Sequence, residues 1–295
     1  MTDASHDQHV TWREMLADVA ERIGDPTAAK WLCQHASGCD GDEFASVLGD
    51  LVSARCGLHL DDMLRRLARG EPLQYVMGRW AFRRLDLMVD ARVLIPRPET
   101  EMLVEHVLGF VRGTVLPIRR GAVIADLGTG SGAIGLSLLD ELPLGAATVW
   151  MTDASADALD VARANAAGLG RPGNGARFAH GSWFDALPAD VRGGLDVIVS
   201  NPPYIADGDP NVQGNVREWE PAGALFSGGD GLDAVREIVG GALEWLAPGG
   251  LLALEIGHDQ GPSVAALLSG AGFCDARVLR DAAGHERYAL AVSPA

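Results

Sequence analysis

A chain of 295 residues, 47% of them hydrophobic, is long enough for one large or two ordinary domains and apolar enough to bury a core, which excludes wholesale disorder. Its 24 basic and 40 acidic residues leave a formal charge of −16. That balance argues against the basic stripe of a nucleic-acid binder and favours a neutral or basic protein partner, or a small molecule. Cys33, Cys39, Cys56 and Cys274 match neither zinc-site nor CxxC spacing, and the eight histidines show no metal pattern, so reduced thiols and no metal are expected. The opening MTDASHDQHV has no apolar signal core, and no apolar run reaches the roughly 18 residues of a membrane span. A cytoplasmic protein with no membrane contact is the expectation.

The first 75 residues read as four or so short helices. TWREMLADVAERIG begins with a capping-box pattern, Thr11 then Glu14, and sets Trp12, Met15, Leu16, Val19, Ala20 and Ile23 on one face. DPTAAKWL offers Asp25 as a cap and Pro26 as the first helical residue. GDEFASVLGDLVSARCG and HLDDMLRRLARGE complete a small bundle over residues 1–75, either an appendage or a recognition module. Over 76–97, AFRRLDLMVD and ARVLIPR have strand-like content and predict a hairpin linker. PETEMLVEHVLGFV then reads as a helix with carboxylates Glu99 and Glu101 near its start, where the dipole favours them.

From residue 121 strands and helices alternate. AVIADLG, ATVWMTD, ARFAHGSW, LDVIVSN and LLALEIG are strand candidates; SGAIGLSLLDEL, SADALDVARANAAGLG and GLDAVREIVGGALEWL lie between them as helices. The helix GPSVAALLSGAG precedes two late strands, DARVLRD and ERYALAVS. The pattern predicts an α/β domain over 98–295, a mostly parallel sheet with helices on both faces and an antiparallel edge.

DLGTGSGAIG follows an apolar strand and opens a helix. Gly128, Gly130 and Gly132 allow a sharp turn and close approach of a ligand outside the strand's carboxyl end. GSGAIG satisfies the GxGxxG pattern of dinucleotide folds, but Asp126, two positions earlier, would repel a pyrophosphate and could help hold an amino-acid ammonium. Asp153, ending the next strand, suits a ribose diol or a helix cap. Ribose plus ammonium without pyrophosphate describes S-adenosylmethionine. Trp183 in HGSWF could pack against its adenine.

SNPPY ends the strand LDVIV, because neither proline can donate a ladder hydrogen bond. Methylation of a planar NH₂ group needs its nitrogen aimed at the methyl donor. Two acceptors, the Asn201 side-chain oxygen and the Pro202 carbonyl, can bind both N–H hydrogens, with the prolines holding them in place. Tyr204 can pack on the planar group. No metal or strong base is required. An adenine amine, a guanine amine and a glutamine amide all satisfy this chemistry.

The segments GEPLQYVMGRWAF, VLIPRPETEMLVE, DLGTGSGAIGLSL, SNPPYI, EPAGALFSGGDGLDAVREI and LALEIGHDQG together resemble the HemK/PrmC family from about residue 60 to the end. The combination of LIPRPETE with NPPY is the specific mark. The resemblance implies a Rossmann-like class I methyltransferase domain that methylates the glutamine N5 in the GGQ motif of peptide chain release factors, yielding S-adenosylhomocysteine. It implies cofactor contacts from Gly128, Thr129, Gly130, Ser131 and Gly132, with Asp126, Asp153, Trp183 and Asn201. Asn201, Pro202, Pro203 and Tyr204 would bind the glutamine amide, with Asn201, Pro202 and Tyr204 catalytic, and Arg97 and Glu99 would border the substrate. The N-terminal helices would help dock the release factor, and a monomer without direct nucleic-acid binding is expected. Ser182 stands where the family often has Asp, and Arg83-Arg84 where a glycine is more usual. The alternative is an amine methyltransferase acting on DNA or RNA bases.

Overall fold

The computed structural model describes residues 10–119 and 121–295; the opening MTDASHDQH lies outside them. The chain divides into two compact units, Met1–Gly78 and Arg79–Ala295.

In the first unit, helix α1 (Trp12–Ile23) begins on the capping box: Thr11 Oγ1 accepts from the Glu14 amide at 3.3 Å, and the Glu14 carboxylate accepts from the Thr11 amide at 2.9 Å. Asp25 caps α2 (Pro26–Ser37) by accepting from the Thr27 and Ala28 amides. The structure corrects the next boundary. GDEFASVLGDLVSARCG is not one helix: α3 (Gly41–Ser46) is short, and α4 (Ala54–Ala68) starts afresh where Ser53 Oγ accepts from the Cys56 amide. A fifth helix, α5 (Leu73–Met77), was not visible in the pattern. Trp12, Leu32, Phe44, Leu60 and Met63 are among the buried residues that join these helices in one core. All four cysteines are free.

The second unit opens with a hairpin, β1 (Arg79–Phe82) paired antiparallel with β2 (Leu85–Met88). Both strands lie inside RWAFRRLDLM; ARVLIPR is not a strand, and this corrects the expected hairpin. The turn is Arg83-Arg84, with Arg83 in the left-handed region at φ 52°. That conformation normally favours glycine. Here Arg83 is held by distant groups: its amide donates to Glu101 Oε1 at 3.0 Å, and its guanidinium reaches Glu105 at 2.8 Å and both carboxylate oxygens of Glu141.

Helix α6 (Thr100–Phe110) leads into the main sheet. Its strands in chain order are β3 (Ala122–Leu127), β4 (Ala147–Asp153), β5 (Ala176–His180), β6 (Leu195–Ser200), β7 (Leu246–Glu255), β8 (Cys274–Arg280) and β9 (Glu286–Val292). Their order across the sheet is β5-β4-β3-β6-β7-β9-β8, parallel through β7 and antiparallel at the β9 and β8 edge. Helices α7 (Ala133–Glu141) and α8 (Ala156–Leu169) join α6 in one buried cluster; α10 (Asp233–Trp245) and α11 (Gly261–Ala271) belong to a second. A short α9 (Gly214–Trp219) follows the loop after β6. β3 feeds outward to β4 and β5, and the chain then returns to place β6 on the other side of β3. The carboxyl ends of β3 and β6 therefore meet at the point where strand order reverses, the usual ligand site of such sheets.

Candidate active site at the ends of β3 and β6

Ser200 Oγ donates to the Leu127 carbonyl at 2.6 Å and ties the two strand ends together. The glycine loop leaves one and Asn201-Pro202-Pro203-Tyr204 leaves the other. Beside them lies a cavity of about 470 Å³. Gly128, Thr129, Gly130 and Ser131 line it, as do Asp153 and Trp183. Asn201, Pro203, Arg97 and Thr100 line it as well.

Each part of this wall has a local cause. Gly128 sits at φ 69°, and a Cβ added there would stand 3.4 Å from the Trp183 ring, so the ring lies directly against the loop. Asp153 Oδ2 accepts from the Gly130 amide at 2.9 Å and Oδ1 from the Ser155 amide at 2.8 Å. The cap of α8 is Ser155, whose Oγ accepts from Ala158, so Asp153 remains with the loop and the cavity. Asn165 donates to the Ser131 and Met88 carbonyls and accepts from the Met88 amide, which joins the hairpin to the glycine loop.

Two expected cofactor residues stand behind this wall. Asp126 is fully buried; its Oδ2 accepts from Thr129 Oγ1 at 2.6 Å and the Gly135 amide at 3.0 Å, while Oδ1 has no partner among the described residues. Burial pushes its carboxyl up to about 6, against the lowering effect of those two bonds. Gly132 begins α7 at φ 87°, where a Cβ would come within 2.9 Å of the Met151 methyl. Neither residue lines the cavity; they shape the loop that does.

The Asn-Pro-Pro-Tyr segment is anchored from below. Asn201 Nδ2 donates to Thr100 Oγ1 at 3.2 Å, and Thr100 Oγ1 donates to Glu255 Oε2 at 2.6 Å. The Tyr204 hydroxyl donates to Glu255 Oε1 at 3.4 Å, and the Tyr204 carbonyl accepts from Gln260 Nε2 at 2.9 Å. Pro202 is buried; neither it nor Tyr204 lines the cavity. Burial and the neighbouring Glu255 push the Tyr204 hydroxyl well above the usual phenol range. Burial also pushes the Glu255 carboxyl up to about 7, partly offset by the Thr100 hydrogen bond and the Arg287 charge.

Arg97 points its guanidinium at Glu220 Oε1, 2.5 Å away, while Glu220 Oε2 accepts from the Ile95 amide at 3.2 Å. Glu99 is exposed and does not line the cavity; its carbonyl accepts from the Tyr288 hydroxyl at 2.8 Å. Sequence reasoning missed Thr100 and Glu255. A signal for Glu255 exists in hindsight: one carboxylate in the otherwise apolar LLALEIG, on a strand where it is 1% exposed.

This fold and this pairing of loops define a class I methyltransferase. Residues 110–219 match the methyltransferase small domain family, and residues 11–78 match the PrmC N-terminal domain. The release factor glutamine methyltransferase of Xylella fastidiosa strain Temecula1 is 43% identical over 282 residues, which is 95% of this chain and 97% of that protein. That of Burkholderia pseudomallei is 41% identical over 89% of this chain and 90% of its own, and that of Bordetella pertussis 46% identical over 76% and 78%. The chain belongs to the release factor glutamine methyltransferase family. Among the described residues, no helix is long and apolar enough to cross a membrane.

Proposed function

We propose that the protein transfers a methyl group from S-adenosylmethionine to the side-chain amide nitrogen of the GGQ glutamine in peptide chain release factors. The observation that carries this is the single cavity shared by Asn201 and the glycine loop. Donor and acceptor groups can meet there.

The cavity fits the methyl donor. Gly128 and Trp183 form a flat apolar wall for a purine, and the Asp153 carboxylate faces the cavity from a loop without basic side chains. Gly128, Thr129, Gly130 and Ser131, with Asp153, Trp183 and Asn201, would hold it; Asp126 and Gly132 act by shaping the loop. The bound donor supplies an electrophilic methyl on a sulfonium. The glutamine nitrogen would take that methyl as its bond to sulfur breaks, S-adenosylhomocysteine would be the leaving group, and the nitrogen would shed one proton after the methyl arrives; the chain's own residues act by positioning.

An amide nitrogen is a weak nucleophile, so its orientation governs the rate; positioning of this kind is worth up to about 7–11 kcal/mol in model reactions. Thr100 occupies the Asn201 NH₂ group, which leaves Asn201 Oδ1 to accept one substrate N–H. The Pro202 carbonyl would be the second acceptor; Pro202 itself is buried, but its two neighbours Asn201 and Pro203 line the cavity, and the prolines restrict the backbone of this turn. Arg97 borders the substrate from the cavity wall, Glu99 from the exposed segment beside it, Tyr204 supports the loop from behind, and the N-terminal unit helps dock the release factor. Both arginines that line the cavity pair with carboxylates, Arg92 with Asp90 and Arg97 with Glu220, which offsets the positive charge a phosphate backbone would meet there. This counts against a nucleic-acid base as the substrate. Methyl transfer to a purified release factor, lost when its GGQ glutamine is replaced by alanine, tests the proposal.

A further inference from the structure

The two ends of Asn201-Pro202-Pro203-Tyr204 converge on one buried carboxylate. Glu255 closes β7, where it pairs with Tyr288 of β9, and is 1% exposed. Its Oε2 takes the Thr100 hydroxyl at 2.6 Å and its Oε1 faces the Tyr204 hydroxyl at 3.4 Å. Thr100 in turn stands 3.2 Å from Asn201 Nδ2.

This arrangement has a direction. An ionised carboxylate only accepts hydrogen bonds. Thr100 has one hydroxyl proton, and giving it to Glu255 leaves only lone pairs for Asn201. The Asn201 amide must then present its NH₂ to Thr100 and its oxygen to the cavity. A protonated Glu255 can donate to Thr100 instead, which frees the Thr100 proton for Asn201 and permits the amide to turn over. In that orientation Asn201 would offer hydrogens to a substrate NH₂ group, which needs acceptors.

We infer that Glu255 is a positioning residue that, through Thr100, fixes which face of the Asn201 amide meets the substrate, and that methyl transfer requires it ionised. The inference rests on the glutamine-methylation proposal for its kinetic consequence but not for its structural one. The groups facing Glu255 are Thr100 from α6, Glu99 just before it, Tyr204 from the loop, and Arg287 and Tyr288 from β9. Arg287 also lies 3.7 Å from Asp281, so its charge is shared. Burial of Glu255 places the titration in the neutral range, at about 7.

The test combines kinetics with a spectroscopic probe of Asn201, using the full chain. With a purified release factor and S-adenosylmethionine, the wild type shows kcat falling on the acid side with a midpoint near the Glu255 value. Glu255→Gln keeps the shape of the side chain but not the one-way acceptor. It lowers kcat about 10- to 100-fold, the scale of a misplaced group, and abolishes the acid limb. Thr100→Val behaves the same way, and Thr100→Ser restores both rate and limb. Glu255→Gln still binds S-adenosylmethionine by calorimetry and keeps the wild-type circular dichroism, which separates positioning from unfolding.

In parallel, the Asn201 side-chain NH₂ resonances are followed by nitrogen–proton NMR over about pH 5.5–8.5, a window spanning the shifted carboxyl. Their loss in Asn201→Asp assigns them. They titrate in the wild type and not in Glu255→Gln or Thr100→Val. Resonances that ignore pH in the wild type, or that titrate alike in Glu255→Gln, overturn the inference. A wild type that shows this titration but does not methylate the release factor refutes the substrate proposal instead.

Discussion

Arg97 and Glu220 lie 123 residues apart in the chain and 2.5 Å apart in space. The contact fastens the segment before α6 to the segment after the Asn-Pro-Pro-Tyr loop, so one side of the cavity is built from two distant stretches. Glu220 is almost fully buried and also holds the Ile95 amide. Glu220→Ala leaves that amide and the guanidinium without their acceptor. A loss of about 2 kcal/mol is expected, with a fall in melting temperature of several degrees and weaker cofactor binding. Glu220→Gln keeps the Ile95 bond and loses less. Thermal denaturation and calorimetric titration of both variants check this.

Trp183 is the residue most exposed to a simple binding test. Its ring lies against Gly128 and lines the cavity. Removing an aromatic face that stacks on a purine costs about 1–1.5 kcal/mol, so Trp183→Ala should weaken S-adenosylmethionine about tenfold. The fold should persist, because the ring is only partly buried. An affinity equal to the wild type would remove Trp183 from the site.

Arg83 invites a substitution that turn preference alone would recommend. Glycine at φ 52° relieves about 1 kcal/mol of strain. It also strips Glu141, whose side chain is 6% exposed, of its main partner, at a cost of about 3–5 kcal/mol. Arg83→Gly is therefore expected to destabilise by about 2–4 kcal/mol in chemical denaturation. The sign of the pH effect is fixed as well. Arg83 holds the Glu141 carboxyl below its ordinary value of 4.5. Its stabilisation is complete above that value and is lost as pH falls through the depressed one. In Arg83→Gly this acid-side loss should shrink.

Asp126 has the opposite sign. Burial raises its carboxyl from the ordinary 3.8 to about 6. The folded state therefore favours the protonated form. The contribution to stability is present below the unfolded value and disappears as pH rises to about 6. Asp126→Asn removes this dependence. The wild type should lose up to about 3 kcal/mol relative to Asp126→Asn between about pH 4 and pH 7. Denaturant midpoints at those two pH values measure it; parallel pH profiles would contradict it.

The main sheet was legible because period and punctuation agreed. AVIADLG before DLGTGSG and LDVIV before NPPY each gave a buried strand with a sharp stop, and β3 and β6 appear where those runs stand. The hairpin was not legible. Its turn is Arg83-Arg84, and what holds Arg83 at positive φ are carboxylates from α6 and α7, 22 and 58 residues further on. The α3–α4 boundary failed for a local reason: Ser53 as a cap was hidden in an apolar run. Around the cavity, residue types could be read but depth could not. Asp126 and Tyr204 were expected at the ligand and lie behind its wall, since a sequence gives spacing along a loop and not which side chain the loop turns inward. Thr100 and Glu255 escaped because their meeting depends on 155 residues of intervening fold.

The central claim is methyl transfer to a glutamine amide positioned by Asn201. Its most direct test is mass spectrometry of a purified, unmethylated release factor after incubation with the protein and S-adenosylmethionine, beside Asn201→Ala. One added methyl group on the GGQ glutamine, absent with Asn201→Ala although that variant still binds the donor, is the expected result. An unmodified glutamine with the wild-type protein, under conditions where the donor is shown to bind, would contradict it.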